Sequence, residues 1–207
     1  MHQLIDLSHN ILDTMPVHPC DDPIKLYQDK FLTEDKYNNY KLESGMHVGT
    51  HIDTSMHLTN SKTFINEIPL NRFIGQAIML DVRGEKRIAY KEKYSDIVNE
   101  GDIVLLFTNH STKYGKKEYF TDSPVVSEEL ADFLVSKKIK MLGLDMPSPD
   151  ESPFTIHKIL FENQIPIIEN LTNLSKLNEV NSFEIIAFPL KIKADSSISR
   201  VVARLLE

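Results

Sequence analysis

The chain has 207 residues, of which 41% are hydrophobic and 26% charged, a composition typical of a globular domain. A formal net charge of −7 and the lack of a lysine- and arginine-rich stripe argue against nucleic-acid binding. No apolar run reaches the ~18–20 residues of a membrane span, residues 1–6 do not resemble a signal peptide, and the single cysteine, Cys20, fits a reducing compartment. We therefore expect one cytoplasmic domain over residues 1–207 that acts on neither nucleic acid nor membrane.

Short β-rich runs between turn residues predict strands at residues 4–7, 76–82, 102–108, 141–144, 166–168, 183–192 and 199–205. The polar stretch 35–49 predicts a loop that leads into a strand. Apolar residues at helical spacing predict two helices, one over residues 128–137 with Ser127 as its N-cap and one over residues 156–163 with Thr155 as its N-cap. Because strands outnumber helices without regular alternation, we expect a mixed α/β or α+β layered domain.

One segment concentrates side chains that bind metals. Three of the eight histidines, His47, His51 and His57, fall within eleven residues, together with Asp53. All four share sequence parity, so an extended backbone would direct them to one face. Imidazole nitrogens with a carboxylate oxygen suit Zn²⁺ or Mn²⁺. A loop with chance histidines would explain any single member of this set, but the whole pattern favours a metal site.

Two small residues inside this segment support the same interpretation. Gly49 permits the backbone to bend or to approach a metal closely, since it has no side chain. The Thr50 hydroxyl could orient a ligand.

Further ligands are expected from the second half of the chain. His157 stands in the first turn of the second predicted helix. Glu169 stands at the carboxyl end of a predicted strand, where ligand sites of α/β sheets gather. Either residue alone could be an ordinary surface side chain. Asp145 and Asp150 flank Met-Pro-Ser-Pro, which is interpreted as a proline-rich turn.

The spacing H-x-G-T-H-x-D-x-x-x-H from His47 to His57 resembles the H-x-G-T-H-x-D-x-P-x-H signature of the metal-dependent cyclase/hydrolase family. This family includes bacterial kynurenine formamidase (arylformamidase) and isatin hydrolase. The resemblance continues at residues 5–8, 15–19, 142–145, 168–171 and 188–192, so it covers nearly the whole chain. It implies a layered β/β/α domain of the swivelling type, in the mixed α/β class, that assembles as a homodimer or larger homo-oligomer.

The resemblance also implies a site for two divalent metal ions, with zinc favoured over manganese. Five residues would bind them: His47, His51 and Asp53 the first metal, His157 the second, with Asp53 and Glu169 bridging the two. His57 would be the catalytic acid/base rather than a ligand.

Two departures from the family pattern concern the substrate. Ser55 stands where the family usually has proline, and His18 stands where the kynurenine formamidases have a tryptophan that packs on the substrate's aromatic ring. The chain contains no tryptophan. We therefore expect His18 to contact the substrate.

The predicted function is a hydrolase that uses metal-activated water to cleave a small amide, an N-formyl aryl amine or a cyclic amide. Two alternatives stay open. One is a cyclase or a lactone- or lactam-opening enzyme that acts on another small substrate. The other is a non-catalytic metal-binding protein, which the presence of His57 disfavours.

Overall fold

The computed structural model describes residues 3–206. Met1, His2 and Glu207 lie outside the described residues. The predicted domain over residues 1–207 is therefore described except for its first two residues and its last residue. The strands are β1 Leu4–Asp6, β2 Lys25–Lys30, β3 Asn39–Glu43, β4 His51–Asp53, β5 Ile74–Asp81, β6 Arg87–Ile88, β7 Ile103–Phe107, β8 Val125–Val126, β9 Met141–Leu144, β10 Ile167–Glu169, β11 Phe183–Ile186, β12 Ser196–Ile198 and β13 Val202–Leu205. The α-helices are α1 Leu32–Asp35, α2 Glu118–Thr121, α3 Glu128–Ser136 and α4 Thr155–Glu162.

Nine of these strands form one mixed sheet in the order β1-β13-β11-β5-β7-β9-β10-β4-β12. The central strands β5, β7, β9 and β10 run parallel, and the strands on either side pair antiparallel. The strands β1 and β10 are far apart in the sheet order, yet Ser8 after β1 forms a β-bridge with Leu171 after β10. The sheet is therefore curled. This architecture confirms the predicted mixed α/β layered class.

Alternation along the strands creates two apolar layers. In β7, Val104 and Leu106 face the helices α3 and α4, whereas Ile103, Leu105 and Phe107 face the concave side of the curled sheet. All five are buried, so β7 reads as a continuous apolar run, as expected for a parallel strand covered on both faces. No helix within residues 3–206 is both long enough and apolar enough to cross a membrane.

The two predicted helices are present, but only one has the predicted N-cap. The Ser127 hydroxyl accepts a hydrogen bond from the Leu130 N–H at 3.2 Å and caps α3 as predicted. The prediction that Thr155 caps α4 is wrong, because Phe154 occupies the N-cap position. Instead, the Asp150 carboxylate accepts a hydrogen bond from the Ile156 N–H at 2.6 Å.

The polar stretch 35–49, predicted as a loop, contains the strand β3. It pairs with β2 as a hairpin outside the main sheet. All five residues of β3 are exposed. The strand therefore lacks the alternation of buried and exposed residues on which the prediction of a half-buried strand rests. The predicted strand over 183–192 ends at Ile186, and the predicted strand over 199–205 begins only at Val202, after the separate β12.

Candidate metal centre

Strand pairing brings the two halves of the chain together at β4. In the antiparallel β4–β10 pair, His51 lies directly opposite Glu169, and on the other side β12 places Ser196 opposite Asp53. Directly opposed residues in an antiparallel pair have neighbouring side chains. Glu169 ends β10, as predicted, and His157 lies in the first turn of α4, also as predicted.

The motif is not one extended segment, so the expectation that parity places all four side chains on one strand face is wrong. Only His51 and Asp53 lie in β4. His47 approaches through a bend at Gly49, whose φ of +60° suits glycine and where a Cβ would lie 2.8 Å from the Met15 side chain. His57 returns through a turn in which its N–H donates to the Thr54 carbonyl at 2.9 Å.

The five predicted ligand residues converge. His51 Nε2 lies 3.3 Å from Asp53 Oδ1 and 3.4 Å from Glu169 Oε2. His47 Nδ1 lies 2.9 Å from Asp53 Oδ1, and His157 Nε2 lies 3.5 Å from Glu169 Oε1. Two sets of potential ligand atoms each lie within 4.8 Å of one another: one set comes from His47, Asp53 and His57, the other from His51, Asp53 and Glu169. This geometry therefore permits either of two roles for His57, a metal ligand or a catalytic acid/base.

The outward nitrogen of each candidate histidine ligand is held by a hydrogen bond. His47 Nε2 lies 2.9 Å from Asp195 Oδ2, and His157 Nδ1 lies 2.5 Å from Asp150 Oδ1. His51 Nδ1 donates to the Gly49 carbonyl at 2.8 Å. Such contacts fix the tautomer and leave the inward nitrogen free for a metal.

The roles of both aspartates in these contacts are not evident from the sequence. Asp150 follows a proline-rich segment that predicts only a turn, and Asp195 belongs to no motif. Asp195 is 148 residues from His47 in the chain, so no local spacing could have pointed to it.

The Thr50 hydroxyl does not orient a histidine or a carboxylate directly. It donates to the Asn170 carbonyl at 2.7 Å and accepts from the His9 N–H at 2.9 Å. The Asn170 side chain donates to the Gly49 carbonyl at 3.0 Å, the same oxygen that receives the His51 hydrogen bond. Thr50 and Asn170 thereby tie the bend before β4 to the end of β10, which carries Glu169.

Three buried polar atoms at the centre fit a bound metal. His51 Nε2, Asp53 Oδ1 and Glu169 Oε1 are inaccessible to solvent and make no hydrogen bond of normal geometry within residues 3–206. Leaving a buried polar atom unpaired costs about 1–3 kcal/mol. Divalent cations held by these residues would satisfy these atoms, and a set of imidazole and carboxylate donors without a thiolate suits zinc or manganese.

Electrostatics agree with this fit. Burial alone would lower the pKa of His47, but the Asp195 and Asp53 carboxylates raise it to about 10. Burial likewise opposes a charge on His157, but Asp150 and Glu169 raise its pKa to about 9. Burial also disfavours ionised Asp53, yet the neighbouring His51 and His47 imidazoles hold its pKa well below the ordinary value. The carboxylates therefore create a negative potential that would attract a metal cation.

The centre opens into a cavity of about 440 Å³ that is also lined by His57 and His18. The His57 ring centroid lies 4.1 Å from that of His47. His18 is exposed at the outer part of the cavity, where its ring meets the edge of Phe120 with centroids 5.9 Å apart. Tyr114 and Phe154 add further aromatic surface to the wall.

Comparison with known proteins identifies the family. Residues 5–151 match the family model Cyclase, described as "Putative cyclase". A kynurenine formamidase from Bacillus cereus is 31% identical over 209 residues, covering 97% of this chain and 96% of the relative. The chain belongs to the cyclase family. The resemblance predicted from the His47–His57 motif is thus confirmed, and it extends through the half of the chain that carries His157 and Glu169.

Solved structures agree with this membership. Isatin hydrolase A from Labrenzia aggregata superposes with a TM-score of 0.89 at 22% identity, covering 100% of this chain and 94% of that one, and so supports the fold. A predicted metal-dependent hydrolase from Bacillus stearothermophilus superposes with a TM-score of 0.80 at 25% identity, covering 99% and 98%. The predicted cyclase-family fold is therefore confirmed.

Proposed function

We propose that residues 1–207 form one metal-dependent hydrolase domain that cleaves a small amide, an N-formyl aryl amine or a cyclic amide. The observation that carries this proposal is the convergence of three buried atoms without a hydrogen bond of normal geometry, His51 Nε2, Asp53 Oδ1 and Glu169 Oε1, at the inner end of an open cavity. The chain is a hydrolase of carbon–nitrogen bonds other than peptide bonds, since its kynurenine formamidase relatives match it over nearly their full length.

Five residues are proposed to hold two divalent ions, with zinc favoured and manganese as the alternative. His47, His51 and Asp53 would hold the first, His157 the second, and Asp53 and Glu169 would bridge them. Divalent metals supply Lewis acidity, which brings the pKa of a water towards neutrality and polarises a carbonyl group. The hydrogen bonds to the outward nitrogens support these roles, because in a neutral ring each would place the lone pair on the nitrogen that faces the carboxylates.

Other side chains are proposed to handle the proton and the substrate. The His57 Nδ1 contact with Asp195, at 3.1 Å, leaves Nε2 available to carry a proton to the leaving nitrogen. The aromatic wall formed by Tyr114, Phe120 and Phe154 suits an aryl group. His18, which lines the same wall, would contact that group in place of the tryptophan of the kynurenine formamidases.

The assembly and location of the protein also belong to this proposal. We infer a homodimer or larger homo-oligomer, supported by exposed apolar side chains on the β2–β3 hairpin, among them Tyr27, Tyr40 and Leu42. An isolated two-stranded hairpin is only marginally stable in water, so packing against a second copy would stabilise it. A cytoplasmic location is supported by the exposed free thiol of Cys20. Light scattering would test the oligomer.

The direct test combines metal analysis with hydrolysis assays on N-formylkynurenine and isatin. We expect about two metal ions per chain and turnover of at least one substrate. His57→Ala should retain the metal and lose turnover, whereas Asn60→Ala, an exposed neighbour, should behave like the wild type. Loss of metal together with activity in His57→Ala would make His57 a ligand. Bound metal without turnover on a broad amide and lactone panel would favour a non-catalytic metal-binding protein.

A further inference from the structure

Asp195 connects two functions of the proposed site through one atom. Its Oδ2 lies 2.9 Å from His47 Nε2 and 3.1 Å from His57 Nδ1. The first imidazole belongs to a proposed metal ligand and the second to the proposed acid/base. The Asp195 side chain is 33% exposed, so its hydrogen bonds are partly shielded from water.

The position of Asp195 is fixed by the fold. It immediately precedes β12, and the β12–β4 register sets Ser196 opposite Asp53. Its carbonyl accepts hydrogen bonds from the Thr54 hydroxyl at 2.6 Å and from the Thr54 N–H at 3.3 Å. The residue after Asp53 therefore anchors the backbone of Asp195, which keeps its carboxylate between the two histidines.

Hydrogen-bond chemistry then assigns the tautomers of both rings. An ionised carboxylate can only accept hydrogen bonds, so the nitrogens facing Asp195 must each carry a proton. A neutral His47 is therefore protonated on Nε2 and presents a lone pair on Nδ1, which lies 2.9 Å from Asp53 Oδ1. A neutral His57 is protonated on Nδ1 and keeps its lone pair on Nε2.

We propose that Asp195 is a positioning residue that holds the proton of His57 on Nδ1, so that Nε2 is the nitrogen that exchanges protons during hydrolysis. This inference rests on the proposed function. In the step it serves, an O–H bond of water breaks and its proton moves to His57 Nε2 while the oxygen bonds to the carbonyl carbon. The C–N bond then breaks, and the same proton moves from Nε2 to the leaving nitrogen. Asp195 itself neither gains nor loses a proton.

The main test is the Asp195→Asn variant, which keeps the side-chain shape but offers a weaker, neutral acceptor and a competing donor. At saturating metal we expect kcat to fall by about 10–100-fold, the range typical of lost ligand-orienting partners, with KM changed less than about twofold. Asp132→Asn, an exposed aspartate on α3, is the matched control and should leave both constants unchanged. Unchanged kcat in Asp195→Asn would overturn the proposal.

A second readout does not depend on activity. Nitrogen-15 NMR of histidine-labelled, metal-free protein reports which ring nitrogen carries the proton, and the His57 signals are those that disappear in His57→Ala. We expect Nδ1-protonated His57 in the wild type and a shift towards the Nε2-protonated form in Asp195→Asn and Asp195→Ala. An unchanged tautomer would contradict the proposal even if the wild type hydrolyses none of the assayed amides, so the two proposals fail separately.

Discussion

Asp150 contacts the metal centre and the helix that carries His157 at the same time. Its Oδ1 lies 2.5 Å from His157 Nδ1, and its Oδ2 accepts a hydrogen bond from the Ile156 N–H in the first turn of α4. A neutral alanine can do neither. Asp150→Ala should therefore weaken metal binding by about 10–100-fold and lower the free energy of unfolding of the metal-free protein by about 1 kcal/mol.

Metal titration calorimetry and urea unfolding would measure these two effects separately. Asp150→Asn keeps one acceptor oxygen, so it should lose less stability than Asp150→Ala. Wild-type metal affinity in Asp150→Ala would mean that the Asp150 contact does not orient His157 as a ligand.

The residues that carry metal-binding chemistry could be predicted from the sequence, whereas their hydrogen-bond partners could not. His47, His51 and His57 are three of only eight histidines and lie close to Asp53, so their pattern is improbable by chance. Asp150 and Asp195 are two among 30 acidic residues. Asp195 meets His57 only because β12 pairs with β4, a contact that spans 138 residues.

The strand β9 contains a glycine whose position depends on close packing of neighbouring elements. A Cβ at Gly143 would lie 2.5 Å from Leu105 Cδ2 in β7 and 2.9 Å from Leu171 Cδ1 after β10. Both leucines are fully buried, so neither can move away freely. Gly143→Ala should lower the free energy of unfolding by about 1–3 kcal/mol, the usual cost of overpacking a core.

Urea unfolding compared with Gly45→Ala would test this. Gly45 has no atom within 4 Å of its added Cβ among the described residues and no positive φ, so its substitution should be nearly neutral. Equal stability of Gly143→Ala and wild type would show that β7, β9 and β10 repack more readily than their contacts suggest.

Elements were predictable where burial dictates the pattern. The apolar runs of β7, β9 and β10 are predictable from the sequence because every residue in them is buried. The hairpin β2–β3 was missed because its second strand is exposed throughout. The short β4 was not separable from its motif, since three residues are too few to show a period and the surrounding bends obey no parity rule.

In the whole molecule, the proposed ligands come from two distant parts of the chain. His47, His51 and Asp53 precede the central parallel strands, whereas His157 and Glu169 follow most of them. The antiparallel β4–β10 pair joins these two parts directly at the site. A metal shared by Asp53 and Glu169 would therefore link the two parts of the fold.

Removal of the metal should lower the stability of the entire domain. A ligand that binds only the folded state adds about 2.7 kcal/mol when its free concentration is 100 times its Kd. For a domain of this size, each kcal/mol shifts Tm by about 2–4 °C, so chelation should lower Tm by about 5–11 °C.

Scanning calorimetry with metal and with chelator would measure the shift. His51→Ala should reduce it, because His51 Nε2 is a proposed ligand atom of the first metal and makes no hydrogen bond among the described residues. His18→Ala should retain it in full, since His18 is exposed at the outer wall. A Tm that does not respond to chelator, in protein shown to bind metal beforehand, would place the ion away from these five residues.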